Sequence, residues 1–94
     1  MNVDYIKAKA EQAGNHFFDE DAMRFWDSRV LPSSFVKVTG DVYRFVTSEK
    51  NWQSDRRYTI REVDMRNGRF VVNTIGNFQQ YATGREAKKH IKEN

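Results

Sequence analysis

Arg57-Tyr58-Thr59-Ile60-Arg61-Glu62-Val63, then Arg66-Asn67-Gly68-Arg69, then Phe70-Val71-Val72-Asn73-Thr74-Ile75: these residues decide the fold. The first run is rich in β-branched and aromatic side chains, which suit a pleated, half-buried surface. Asn67-Gly68 is a strong hairpin signal, because both residues tolerate positive φ. The third run is the returning strand. The whole stretch from Arg56 to Thr83 therefore reads as a hairpin followed by a return into a last helix.

Upstream of the hairpin the same period of two continues. Phe35-Val36-Lys37-Val38 is a short strand, Thr39-Gly40-Asp41 a turn, and Val42-Tyr43-Arg44-Phe45-Val46-Thr47 a second strand. Tyr43, Phe45 and Thr47 share one face; Val42, Arg44 and Val46 share the other. Neither face is purely polar, which predicts cover on both sides. Ser48 to Asp55 is a polar connection with Trp52 in its middle. Trp52 reads either as a contact residue or as a lid folded over the sheet edge, and the usual burial of large aromatics favours the lid.

Further upstream the period becomes helical. Val3, Ile6, Ala10 and Ala13 lie on one side of a predicted helix over Asp4–Ala13, which Gly14 stops. Asn15 to Phe18 connect it to a second predicted helix. Asp19 is the N-cap, Glu20 and Asp21 complement the first turn, and Phe18 and Met23 have hydrophobic-staple spacing. Ala22, Phe25 and Arg29 form one row, and Met23, Trp26 and Val30 the next. Pro32 places the stop at Leu31. Downstream, Thr83-Gly84-Arg85-Glu86 fits a capping box, with Ala87 and Ile91 facing inward.

The predicted fold is α+β over residues 1–94 as a single domain. It has two N-terminal helices, a three- to four-stranded antiparallel meander and one C-terminal helix, with the helices packed on one face of the sheet. Ninety-four residues leave no room for two cores. The 38% apolar fraction is carried by seven Phe, four Tyr and two Trp. Apolar runs of two or three residues exclude a membrane-spanning helix and a secretory leader. With no cysteine there is no disulfide framework and no thiolate metal site. A cytoplasmic setting is expected.

Catalytic chemistry is poorly represented. His16 and His90 lie in different elements without zinc-ligand spacing. Asp19-Glu20-Asp21 lacks the spacing and glycine of a calcium loop. No Gly-x-Ser-x-Gly and no glycine-rich phosphate loop is present. Glu62 and Asp64 share a strand face as paired carboxylates would, but beside Arg61 they read as surface charge. Neither enzyme activity nor a cofactor or metal is expected.

Basic residues are what is left. Met1 to Leu31 carries four Lys/Arg against six Asp/Glu, and Pro32 to Asn94 twelve against seven. Arg56, Arg57, Arg61, Arg66 and Arg69 lie in the hairpin region, with Lys37 and Arg44 on nearby strands. Arginine suits bidentate contacts to phosphate or carboxylate. The candidate partner-binding set is Arg44, Trp52, Arg56, Arg57, Arg61, Arg66 and Arg69. The competing reading has Arg57 and Arg61 covering the sheet with their stems and pairing with Glu62 or Asp64.

Two resemblances add context. Phe78-Gln79-Gln80-Tyr81-Ala82-Thr83 followed by Glu86-Ala87 resembles the helix entry in the arm-type DNA-binding domain of phage tyrosine integrases. That likeness implies a three-stranded sheet reading DNA through Arg57, Thr59, Arg61 and Arg69. More broadly, Met23 to Arg29, Phe45 to Lys50, Arg57 to Arg61 and Phe78 to Thr83 make the chain similar to small accessory proteins of phages and mobile elements. This second resemblance implies a non-enzymatic inhibitor of a host machine, with anti-CRISPR or other anti-defence activity the specific expectation. The partner would be a host protein or nucleoprotein complex. Direct nucleic-acid binding and a structural or assembly role are the alternatives, no membrane contact is expected, and the oligomeric state is left open.

Overall fold

The computed structural model of the chain describes residues 3–14, 24–25 and 28–93. Helix α1 spans Val3–Gln12 and is followed by strands β1 (Arg24–Phe25), β2 (Ser28–Thr39), β3 (Val42–Lys50), β4 (Arg56–Asp64) and β5 (Val71–Ile75), then helix α2 (Gly84–Lys89). The strands form one antiparallel sheet in sequence order. The meander is thus five-stranded rather than three- to four-stranded. No helix among the described residues is long and apolar enough to cross a membrane.

The β4–β5 hairpin forms where the sequence predicts it. Asn67 and Gly68 take φ of 56° and 74°, the left-handed values that reverse the chain. Asp64 then pairs with Val71. Strands β3 and β4 pair over nine consecutive residues, from Val42↔Asp64 to Lys50↔Arg56.

The second predicted helix is corrected. Its part over residues 24–25 and 28–31 is strand, while Asp19, Glu20, Asp21, Met23 and Trp26 lie outside the described residues, as do Asn15 to Phe18. The misreading has a physical cause. Val30 lies opposite Thr47 and Leu31 opposite Val46, so the two point to opposite faces of a sheet covered on both. Adjacent apolar residues of this kind also fit one wide helical face, and periodicity alone does not separate the two.

Pro32 is likewise not a helix stop. Register jumps from Leu31↔Val46 to Val36↔Arg44, so residues 32–35 bulge opposite Phe45 alone. Proline is tolerated at such a bulge because no ladder donor is needed there. Buried Ser34 stitches the bulge closed. Its hydroxyl donates to the Leu31 carbonyl at 2.6 Å and accepts from the Val46 amide at 2.8 Å.

The two helices cover opposite faces, not one. Ile6 and Ala10 of α1 pack with Val30, Phe35, Tyr43, Phe45, Val63 and Met65. Phe35 and Phe45 stack at 4.8 Å between ring centroids. Ala87 and Ile91, in and just beyond α2, pack with Val46 and Ile60 on the other face, flanked by Leu31, Val36, Tyr58, Ile75 and Tyr81. Consequently β3 is buried at seven successive residues, Val42 to Ser48. Ala13, predicted to face inward, is exposed beyond the end of α1.

Candidate contact surface

The seven predicted contact residues separate into four environments. Arg44 is inside the protein, 7% exposed. Its Nε donates to Glu62 Oε2 at 2.9 Å, and its Nη1 donates to the carbonyls of Ile91 and Glu93 at 3.1 and 2.8 Å. Both carbonyls lie just beyond α2, and the guanidinium supplies their donors. Arg44 therefore fastens the C-terminus to the sheet and is withdrawn from the contact set.

Arg57 and Arg61 lie on the α1 side of the sheet and are bound internally. Arg57 Nε donates to the Gln79 carbonyl at 3.1 Å, and Nη2 to the Gln80 carbonyl at 3.0 Å. Arg61 Nε donates to Thr47 Oγ1 at 3.2 Å, and Nη1 donates to Thr74 Oγ1. The Arg61 guanidinium also stands 5.4 Å from the centre of the exposed Phe78 ring. Burial lowers the Arg61 guanidinium from its ordinary value, and the charge of Glu49 opposes that shift. Thr59, between the two arginines, is buried, and its Oγ1 accepts from the Gln79 amide at 2.8 Å.

These bonds hold the β5–α2 connection against β4. Tyr58 and Tyr81 exchange both backbone hydrogen bonds, at 2.8 and 3.0 Å, so the connection extends the sheet where β5 stops. Neither Glu62 nor Asp64 is a hydrogen-bond partner of Arg57 or Arg61. Glu62 bonds Arg44, and Asp64 bonds Arg66 through two side-chain contacts of 2.7 and 3.0 Å. Each carboxylate has its own arginine. The Arg66 guanidinium holds the Asp64 carboxyl at about 2. Arg66 and Arg69 are both exposed at the β4–β5 turn.

The fourth environment is the β3–β4 turn, residues 51–55. Trp52 is 90% exposed, so the lid reading is overturned. The turn beneath it is firmly built. Asn51 Oδ1 accepts from the amides of Gln53 and Asp55, both at 2.9 Å, and the Asn51 amide donates to the Asp55 carbonyl at 2.8 Å. Ser54 takes a φ of 66°, and its amide donates to the Asn51 carbonyl at 2.9 Å. A polar turn with its backbone groups satisfied locally offers no apolar seat for the indole.

Arg56 stands at the foot of this turn, directly opposite Lys50. Its Nη1 donates to Ser48 Oγ at 2.9 Å. Ser48 in turn lies opposite Arg29 on β2. Pairing and alternation place Arg29, Lys50 and Arg56 on one face, the α2 side. Among the described residues none of the three is ion-paired. Sequence reasoning missed Arg29 and Lys50, because it assigned them to a helix end and to a loop. Counting the ladder back from the turn would have found Lys50; nothing local marks Arg29.

A cavity of about 370 Å³ lies elsewhere, between α2 and the β5–α2 connection. Ile60, Ile75, Gly76, Gln80, Tyr81, Glu86, His90 and Glu93 line it. His90 stacks on Tyr81 and meets Glu93 at 2.7 Å, so the imidazole and one carboxylate occupy each other. Among the described residues no group of His, Cys, Asp and Glu is arranged to hold a metal ion. His16 lies outside the described residues.

The profile of a family of unknown function, DUF7447, matches residues 2–92. No curated protein and no solved structure matches the chain.

Proposed function

The chain belongs to the DUF7447 family of unknown function, so its own surface has to supply the reading, and we propose that it is a non-enzymatic binding module. The module occludes a host macromolecular machine, as an accessory protein of a phage or mobile element would. Anti-defence activity, of the anti-CRISPR kind, is its specific form. One observation carries the contact itself: a tryptophan 90% exposed on a turn whose own backbone is internally satisfied. Leaving an indole in water forfeits the burial free energy of a large apolar surface, and a partner recovers it. Tryptophan is also among the side chains that dominate binding energy where interfaces have been scanned.

The alternative DNA-reading face, through Arg57, Thr59, Arg61 and Arg69, has less support. Three of those four side chains bond to other parts of this chain. The test is a pull-down from host lysate with the tagged protein, its Trp52→Ala variant, and a nuclease-treated sample of each. The expected result is a stoichiometric defence protein or nucleoprotein on the parent and its loss with Trp52→Ala. The same background proteins on both baits would overturn the reading.

A further inference from the structure

We infer that the surface formed by Trp52, Lys50, Arg56 and Arg29 binds single-stranded nucleic acid. The inference rests on the reading of Trp52 as the contact residue and names the chemistry of what it contacts.

Lys50 and Arg56 are directly opposed across β3 and β4. Like charges in that position repel and weaken the pair. Arg56 reaches away to Ser48, which brings its guanidinium toward the third cation, Arg29, opposite Ser48 on β2. No carboxylate pairs with any of them among the described residues. Glu49 points to the opposite face, Asp55 lies in the turn beside Arg56, and Asp27, two residues before Arg29, lies outside the described residues. Among the described residues a row of three cations crossing three strands is therefore unrelieved, and a polyanion would relieve it.

The row is also open. Helix α2 covers this face only from its first residue onward, where Gly84 lies against Leu31 and Tyr58. Beyond them, toward the turn, Arg29 and Lys50 are exposed.

Trp52 selects among polyanions. Trp52 lies two residues beyond Lys50, on the exposed turn that joins the strands carrying Lys50 and Arg56. Bases of a single strand offer free π-faces to such a ring, whereas bases in a duplex are already stacked on one another. Cations that follow a backbone beside an aromatic stacking platform are how single strands are held without sequence preference. An acidic protein would satisfy the cations but leave the indole no base to stack on.

The test is fluorescence anisotropy with labelled single-stranded DNA and RNA of mixed sequence, the matching duplex, and polyglutamate as competitor, together with quenching of tryptophan emission. Expected is preferential binding of single strands, with log affinity falling against log salt at a slope of about −2, the value for three neutralised phosphates. Lys50→Ala should make that slope shallower by about 0.7. Trp52→Ala should weaken binding about 5- to 150-fold, the range for loss of one stacked base. Lys92→Ala, exposed beyond the far end of α2, should leave binding unchanged. No binding at low salt, equal competition by polyglutamate, or indifference to both Trp52→Ala and Lys50→Ala would each overturn the inference. Circular dichroism of each variant shows whether the fold is intact. A nuclease-resistant protein captured in the pull-down, with no oligonucleotide binding, sinks this inference and leaves the binding-module reading standing. Oligonucleotide binding that depends on Lys50 but not on Trp52 sinks the role given to Trp52 in both.

Discussion

Arg44 and Arg57 illustrate how little a residue name says about its role. Both are arginines on adjacent strands of a basic sheet, yet each spends its donors on carbonyl groups of the chain itself. Arg44 is the more committed of the two. Replacing it with Met keeps the aliphatic stem but leaves Glu62 and the carbonyls of Ile91 and Glu93 without their donor. A fully buried pair broken this way costs about 3–5 kcal/mol. Glu62 keeps 24% of its side chain exposed and is partly rehydrated. Arg44→Met should therefore cost about 2–3 kcal/mol in urea unfolding, with faster amide exchange over residues 91–93. Asp64 permits a second test at the same scale. Its carboxyl is held at about 2 by Arg66, below its ordinary 3.8. A carboxylate depressed on folding contributes stability above its unfolded value and loses it as pH falls through the folded one. The stability contributed by the Asp64–Arg66 pair should thus fade as pH falls from near 4 and be gone near 2, while the pair itself stays ionised over most of that range. Carbon-detected NMR titration should place the Asp64 midpoint near 2, and Arg66→Ala should return it toward 3.8.

Among the elements, those closed by local chemistry are legible in the sequence. The left-handed Asn67-Gly68 pair fixes the β4–β5 hairpin. Thr83 caps α2 by accepting from the Glu86 amide at 3.1 Å, as the capping box predicts. Strand β2 is illegible for the opposite reason, since its shape is set by a partner distant in sequence. Pro32 reads as a terminator until β3 supplies the ladder that makes it part of a bulge. Trp52 is misjudged because burial statistics for tryptophan describe side chains with a core to enter, and the turn at 51–55 provides none. Ser34 tests the account of the bulge. Ser34→Ala leaves the buried Val46 amide without its acceptor, a loss of about 1–3 kcal/mol. Hydrogen exchange at Val46 should quicken more than at Thr47. Unchanged protection at Val46 would show that the bulge closes without the hydroxyl.

For the whole molecule, the decisive feature is one sheet packed on both faces, with a hydrophobic cluster on each. Strand β3 sends Tyr43 and Phe45 toward α1, and Val46 toward α2. Sequence alternation already shows that neither face of β3 is polar, but it does not say which helix takes which face. Docking settles that point: among the described residues α1 contributes Ile6 and Ala10 to its cluster, and the α2 end contributes Ala87 and Ile91 to the other. Truncating Ile6 or Ile91 to Ala should cost about 2–3 kcal/mol each, the low end for such truncations, since both lie in short terminal segments that can settle inward. The two share no cluster, so the double variant should lose the sum to within about 0.5 kcal/mol. Unfolding should nonetheless stay a single transition. Neither helix is long enough to persist without the sheet, and the sheet cannot melt on one face alone. Two separated transitions by circular dichroism and tryptophan fluorescence would mean that the faces unfold independently, whereas a coupling well above about 0.5 kcal/mol would mean that they communicate in a way that alternate burial on a shared strand does not provide.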